Sequence, residues 1–191
     1  MAGWLCNGMP TLTLPTGNEL FPLDTESPQG ASPQSAAVSL AALAAATLYF
    51  SNHTDITTVA GSRYFVEATI GNALNITGVS VLVGGTGGTD KWIAELHDST
   101  GALVATSATA GTTAGTAGTF QQLDFTAPYA ATAGTYYVVI QSNGTTAKIA
   151  AYNAPTFPLY TGSATGTFGT GAAITVPTTY TQAEGPVTLF Y

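Results

Sequence analysis

From Ile56 onward, apolar and polar residues alternate with a period of two in short runs separated by glycine, threonine and asparagine. That period predicts β-strands with one buried face. In 63–70, Tyr64, Val66, Ala68 and Ile70 oppose Phe65, Glu67 and Thr69. The run 76–85 is rich in β-branched residues and ends in glycines, as a strand running into a loop does. Residues 91–107 read as a hairpin: Trp92, Ala94 and Leu96 face one way, Ile93, Glu95 and His97 the other, and Asp98-Ser99-Thr100-Gly101 supplies the turn. Further strands are predicted over 119–125 (Leu123 and Phe125 on one face), 133–142 (Tyr136, Val138 and Ile140), 147–152 and 186–191. Strands and turns without interleaved helical patterns predict an all-β, antiparallel two-sheet sandwich, jelly-roll-like in topology.

Two regions depart from this pattern and suggest the domain organisation. Residues 1–50 read as an extended N-terminal arm with one short helix, from Ser35 or Ser39 to Ala46, where a serine cap precedes repeated alanine. Prolines 22, 28 and 33 punctuate the stretch from Glu19 to Leu43, which is too interrupted for continuous helix and too apolar for a plain linker. Residues 51–191 form the sandwich domain, including a proline- and glycine-rich excursion at 153–185 expected to pack on something before the last strand. The low-complexity piece 108–119 is either an exposed loop or a weakly specified edge strand.

Composition narrows the function. Charged residues are 7% of the 191, against about 25% in typical domains, while 45% are hydrophobic, enough for a core. Arg63, Lys91 and Lys148 are the only cations in a chain of net charge −7, too few to neutralise a phosphate backbone, so we expect no nucleic-acid partner. An anionic membrane surface is disfavoured on the same ground, and no apolar run reaches the roughly 20 residues of a membrane helix. Cys6 is the lone cysteine, which leaves no disulfide framework within one chain. The opening MAGWLCNGMP has no basic region ahead of a long apolar run, so no secretory signal is expected.

Candidate chemistry is sparse. The glycine-rich 84–90 lacks the Lys-Ser/Thr ending of a phosphate loop and reads as a flexible hairpin loop. Asp98-Ser99-Thr100-Gly101 has no second copy to furnish an aspartic-protease partner and reads as a turn. His53 falls in a turn and His97 at a strand end beside Asp98; with no marked nucleophile, both are taken as surface histidines. The thinly spread carboxylates give no metal-ligand spacing. The three Asn-x-Thr triplets beginning at Asn52, Asn75 and Asn143 are expected by chance in so threonine-rich a chain. The expectation is a non-enzyme without cofactor or metal. Trp4, Trp92, Tyr129, Tyr152, Tyr160 and Tyr180 could present a platform for sugar rings, although Trp92 alternates with core positions. Tyr152 and Tyr160, which bracket the start of the excursion, suit contacts with a partner chain.

The segment 15–44 resembles the N-terminal segment of virion proteins of tailed bacteriophages, in particular capsid decoration (cement) and head-fibre proteins. The resemblance rests on Gly17, Glu19, Phe21-Pro22-Leu23-Asp24-Thr25, Pro33 and Val38-Ser39 through Ala44. The pieces 98–107 and 127–141 are similar to sandwich domains of viral appendages and of some carbohydrate-binding modules, and 166–191 fits the same virion group. Collagen-like and coiled-coil repeats are absent, which favours a compact cement protein over a fibre. The resemblance implies a structural protein on the capsid exterior, bound to the major capsid protein and to sister copies, with a homotrimer expected. Leu12, Leu14, Leu20, Phe21 and Leu23 are then the candidate anchors on a capsid subunit or sister chain. The alternatives are an arm that wraps back over its own sandwich, a head-fibre or tail-associated module binding a host surface glycan, and a minor tail or baseplate adaptor.

Overall fold

A computed structural model of the chain describes residues 20–21, 38–39, 53–153 and 159–191. The chain divides into two compact units, Met1–Tyr49 and Phe50–Tyr191. In the first, β1 (Leu20–Phe21) pairs antiparallel with β2 (Val38–Ser39). Val38 and Ser39, inside the segment expected to be helical, are thus paired as strand; the rest of that expected helix lies outside the described residues.

The second unit is β-sandwich-like, and all its strand pairs are antiparallel. Its strands are β3 (His53–Thr57), β4 (Ser62–Ile70), β5 (Leu74–Leu82), β6 (Lys91–His97), β7 (Leu103–Thr106), β8 (Thr112–Thr113), β9 (Phe120–Ala131), β10 (Gly134–Ser142), β11 (Lys148–Tyr152), β12 (Thr161–Thr165) and β13 (Thr188–Phe190). One sheet has the order β12-β4-β10-β6-β7, with β8 also on β6. The other side comprises β13-β5-β9 and the pair β11-β3. Single bridges, Val83 to Ile149 and Ala151 to Pro186, tie these two pieces together. A third bridge, Ser107 to Phe125, joins the β7 side to β9.

The expected alternation places the core. Trp92, Ala94 and Leu96 of β6 are fully buried and pair across β10 with Ser142, Ile140 and Val138. Ile76, Val79, Val81, Leu123 and Ile149 from the other strands are equally buried. Trp92 is therefore core, as its alternation implied. Asp98 closes the β6–β7 hairpin: its Oδ1 accepts from Thr100 N and Oγ1 and from Ala102 N. These bonds, the Thr100 hydroxyl first, hold its carboxyl below the usual range. Gly101 supplies the positive φ of 84°.

Several expectations are corrected. The loop 84–90 does not close a hairpin, because β5 and β6 belong to different sheets. Its glycines wrap the Asp55 carboxylate, which accepts from Gly85 N at 2.6 Å. Within 108–119, Thr112 and Thr113 do pair, as edge strand β8. His53 opens a strand rather than lying in a turn. The excursion contains a strand of its own, β12, on the edge beside β4.

Candidate functional site

The β4-β10-β6 sheet has a second face, and its composition is unusual. In register, it carries a rank of Arg63, Gln141 and Ile93, then Phe65, Val139 and Glu95, then Glu67, Tyr137 and His97. A face of this make-up would normally be solvated. Here residues 166–179 run over it as a strap. Ile174 packs on Phe65, Tyr137 and Val139, with Val176 against the same cluster.

Beneath the strap lies a buried polar network. Arg63 Nη2 donates to Glu95 Oε2 and, at 2.7 Å, to the Ala172 carbonyl of the strap. Gln141 Nε2 donates to Glu95 Oε1 at 2.6 Å and to the Thr170 carbonyl at 3.2 Å, while Gln141 Oε1 accepts from Gly169 N. His97 Nδ1 sits 3.0 Å from the Gly101 carbonyl, so that nitrogen carries a hydrogen and donates. His97 Nε2 faces Glu95 Oε2 at 3.1 Å and Arg63 Nη2 at 3.4 Å. Glu95 and His97 are within 1% of full burial. This corrects the surface placement expected for His97: alternation aims it away from the core, and the strap covers that side.

The network has the chemical parts of a catalytic site, buried beneath the strap. A carboxylate, an imidazole and a guanidinium lie in contact, and their hydrogen bonds go to one another, to Gln141, to the strap backbone and to the Gly101 carbonyl of the hairpin turn. No serine or cysteine hydroxyl or thiol is among their hydrogen-bond partners. Among the described residues, no group of three His, Cys, Asp or Glu side chains is placed to hold a metal. What the arrangement does is clamp the strap, through the Ala172 and Thr170 carbonyls that Arg63 and Gln141 bond. Arg63 Nε stays without a partner among the described residues.

Beside the strap an open groove of about 490 Å³ runs along β12. Arg63 and Phe65 line it from β4, Thr161 to Thr165 form one wall, and Ala173 to Thr179 form the other. Glu184 sits at its side, bonded to the Ser163 hydroxyl at 2.8 Å.

The residues singled out from sequence fall in two separate units, Met1–Tyr49 and Phe50–Tyr191. Leu12, Leu14 and Leu23 lie outside the described residues, and Leu20 and Phe21 are placed as strand β1 only. Tyr152 is buried in β11, its carbonyl accepting from Ala183 N and from the Tyr180 hydroxyl. It is therefore a packing residue within its own unit. Tyr160 is 41% exposed, its backbone pinned by Glu67. With Trp92 and Tyr152 buried, no aromatic platform assembles from the described members of the candidate set. Sequence reasoning passed over Arg63, Glu95 and Gln141. The available signal was the coincidence of three polar residues on the non-core face of adjacent strands.

No family model matches the chain, and no curated protein or solved structure resembles it significantly.

Proposed function

We propose that the chain is a structural virion protein of a tailed bacteriophage, a capsid decoration (cement) protein that binds the assembled shell through its N-terminal arm. The observation that carries this reading is a contrast within one chain. The main sheet of the body is packed on both faces, and the strap covers its Arg63, Glu95 and His97 cluster. The arm, 1–50, holds no cation and is rich in leucine, proline and alanine. A proline-stiffened apolar arm loses little entropy when laid on a preformed groove. The major capsid protein and sister copies are the proposed partners, and a homotrimer is the proposed assembly.

We also read the body as a jelly roll. What supports this reading is that the order β4-β10-β6-β7, together with β11-β3 and β5-β9 taken as joined through the Val83–Ile149 bridge, suits the two interleaved four-strand sets of that topology, with β12 and β13 as additions. Jelly rolls recur in capsid and lectin domains, which suits a particle-surface protein without identifying one.

The test is decoration stoichiometry on bare capsids of the source virus, with host adsorption scored alongside. Full-length protein is expected to saturate the shell, and protein lacking 1–50 to bind none while keeping its β-type circular dichroism. Full occupancy by the arm-deleted protein, together with adsorption lost on substituting Tyr160, would reject cement in favour of a host-glycan-binding module.

A further inference from the structure

Strand β12 is an edge, and its backbone can be assigned group by group. Glu67 N donates to the Tyr160 carbonyl, and Gly166 N to the Gly61 carbonyl. Antiparallel pairing alternates, so Gly162 and Ala164 point their N–H and C=O groups at β4, while Thr161, Ser163 and Thr165 point theirs outward. Thr161 N reaches the Thr179 carbonyl. The backbones of Ser163 and Thr165 have no partner among the described residues, and they open on the groove between β12 and the strap.

Natural edges avoid pairing with other chains through proline, lysine, bulges or inward charges. β12 reads Thr-Gly-Ser-Ala-Thr in unbroken register with no proline, lysine or bulge. Among the described residues only its Thr161 end is covered, by Thr179 and Thr181, which leaves Ser163 and Thr165 as the open part of the edge. Its side chains on the strap side are also small. A Cβ on Gly162 would meet the Phe65 ring at 2.5 Å, and Ala164 adds only a methyl. The groove therefore offers an unpaired strand edge beside apolar atoms of Phe65, Ile174 and Val176.

We infer that β12 is a strand-acceptor site, and that its occupant is the run Thr11-Leu12-Thr13-Leu14 of a second copy of this chain. The run has period-two alternation, and Pro10 and Pro15 bound it to about the length that β12 can pair. Added to the edge, it would take its hydrogen bonds from Ser163 and Thr165 and turn Leu12 and Leu14 toward Phe65, Ile174 and Val176. Charge does not oppose this: residues 1–18 carry no charged side chain, the groove's cation Arg63 is paired with Glu95, and its carboxylate Glu184 is bonded to the Ser163 hydroxyl. Head-to-tail donation of this kind makes a closed ring when the rotation between copies closes, which is the case the proposed trimer requires. The inference rests on that reading of the arm as an intermolecular element. It leaves Leu20, Phe21 and Leu23 for the shell.

The experiment uses full-length protein in solution without capsids, so its failure is separable from a failure of capsid binding. In a Cys6→Ser background, a Thr13→Cys chain is mixed with a Ser163→Cys chain and treated with a short bis-maleimide. Linked Thr13–Ser163 heterodimers are expected. Adding Ser163→Pro to otherwise unlabelled acceptor chains, which removes an outward N–H and no ladder bond, is expected to shift them from oligomer towards monomer in sedimentation by roughly fivefold. Circular dichroism of that variant checks its fold, and Thr165→Pro serves if it is disturbed. No cross-link between chains, or a link formed only when one chain carries both cysteines, would overturn the second-copy assignment. Oligomer unchanged in a folded proline variant would overturn β12 as the acceptor.

Discussion

Glu95 lies at the centre of a buried charge cluster in a chain with only 7% charged residues. It accepts from Arg63 and Gln141 together, with His97 Nε2 3.1 Å away, so truncating it strands a guanidinium that is 5% exposed. Glu95→Ala is expected to cost about 3–5 kcal/mol in urea unfolding. The double change Arg63→Met with Glu95→Leu should recover most of that loss, because an apolar pair of similar volume avoids the desolvation of two ions. A single-mutant loss below about 1 kcal/mol would show that water reaches the pair and screens it. The sequence pattern marks this cluster only as isolated polar residues on the non-core face of three strands. Alternation shows that Glu95 and His97 share a face with Ile93, but a face that sequence assigns to solvent becomes interior once a distant segment crosses it.

At the scale of elements, legibility followed hydrophobic contrast. β4, β6, β10 and β11 carry large aliphatic or aromatic residues, and their expected spans agree with the observed ones to within a few residues. The hairpin turn was equally readable, since Asp98 and Gly101 are turn residues for stated reasons: a side-chain acceptor and a positive φ. β12 was missed because Thr-Gly-Ser-Ala-Thr has no apolar alternation; it is a strand by virtue of β4 beside it. The strap was expected only as a segment that packs on something, and the sheet face beneath it is that something. Its anchor is Ile174, which is 8% exposed against Phe65, Tyr137 and Val139. Ile174→Ala is expected to destabilise by about 2–4 kcal/mol. Hydrogen exchange should rise first in the strap at Ile174 N, which donates to the Gly101 carbonyl at 2.9 Å. If exchange instead rose uniformly, the strap would belong to the global folding unit.

For the whole molecule, the proposed function makes the arm the binding element and the body its cargo. Five leucine and phenylalanine side chains, Leu12, Leu14, Leu20, Phe21 and Leu23, are the proposed anchors, shared between shell and sister copy. Burying one such side chain is worth on the order of 1.5–3 kcal/mol. Phe21→Ala with Leu23→Ala should therefore weaken capsid binding by a factor of at least about a hundred, with urea unfolding of the body unchanged. Because a ligand that binds only the assembled shell stabilises it by mass action, the same variant should return decorated particles towards the heat resistance of bare ones. The Ser163→Pro protein gives the contrast: it keeps Phe21 and Leu23, so each copy should bind the shell, but more weakly in total once multivalent attachment is lost. Heat inactivation of particles carrying each variant, read against occupancy, separates the two contributions. Equal protection by wild type and by the Phe21, Leu23 variant at equal added concentration would remove those residues from the shell contact and leave the arm a purely inter-copy element.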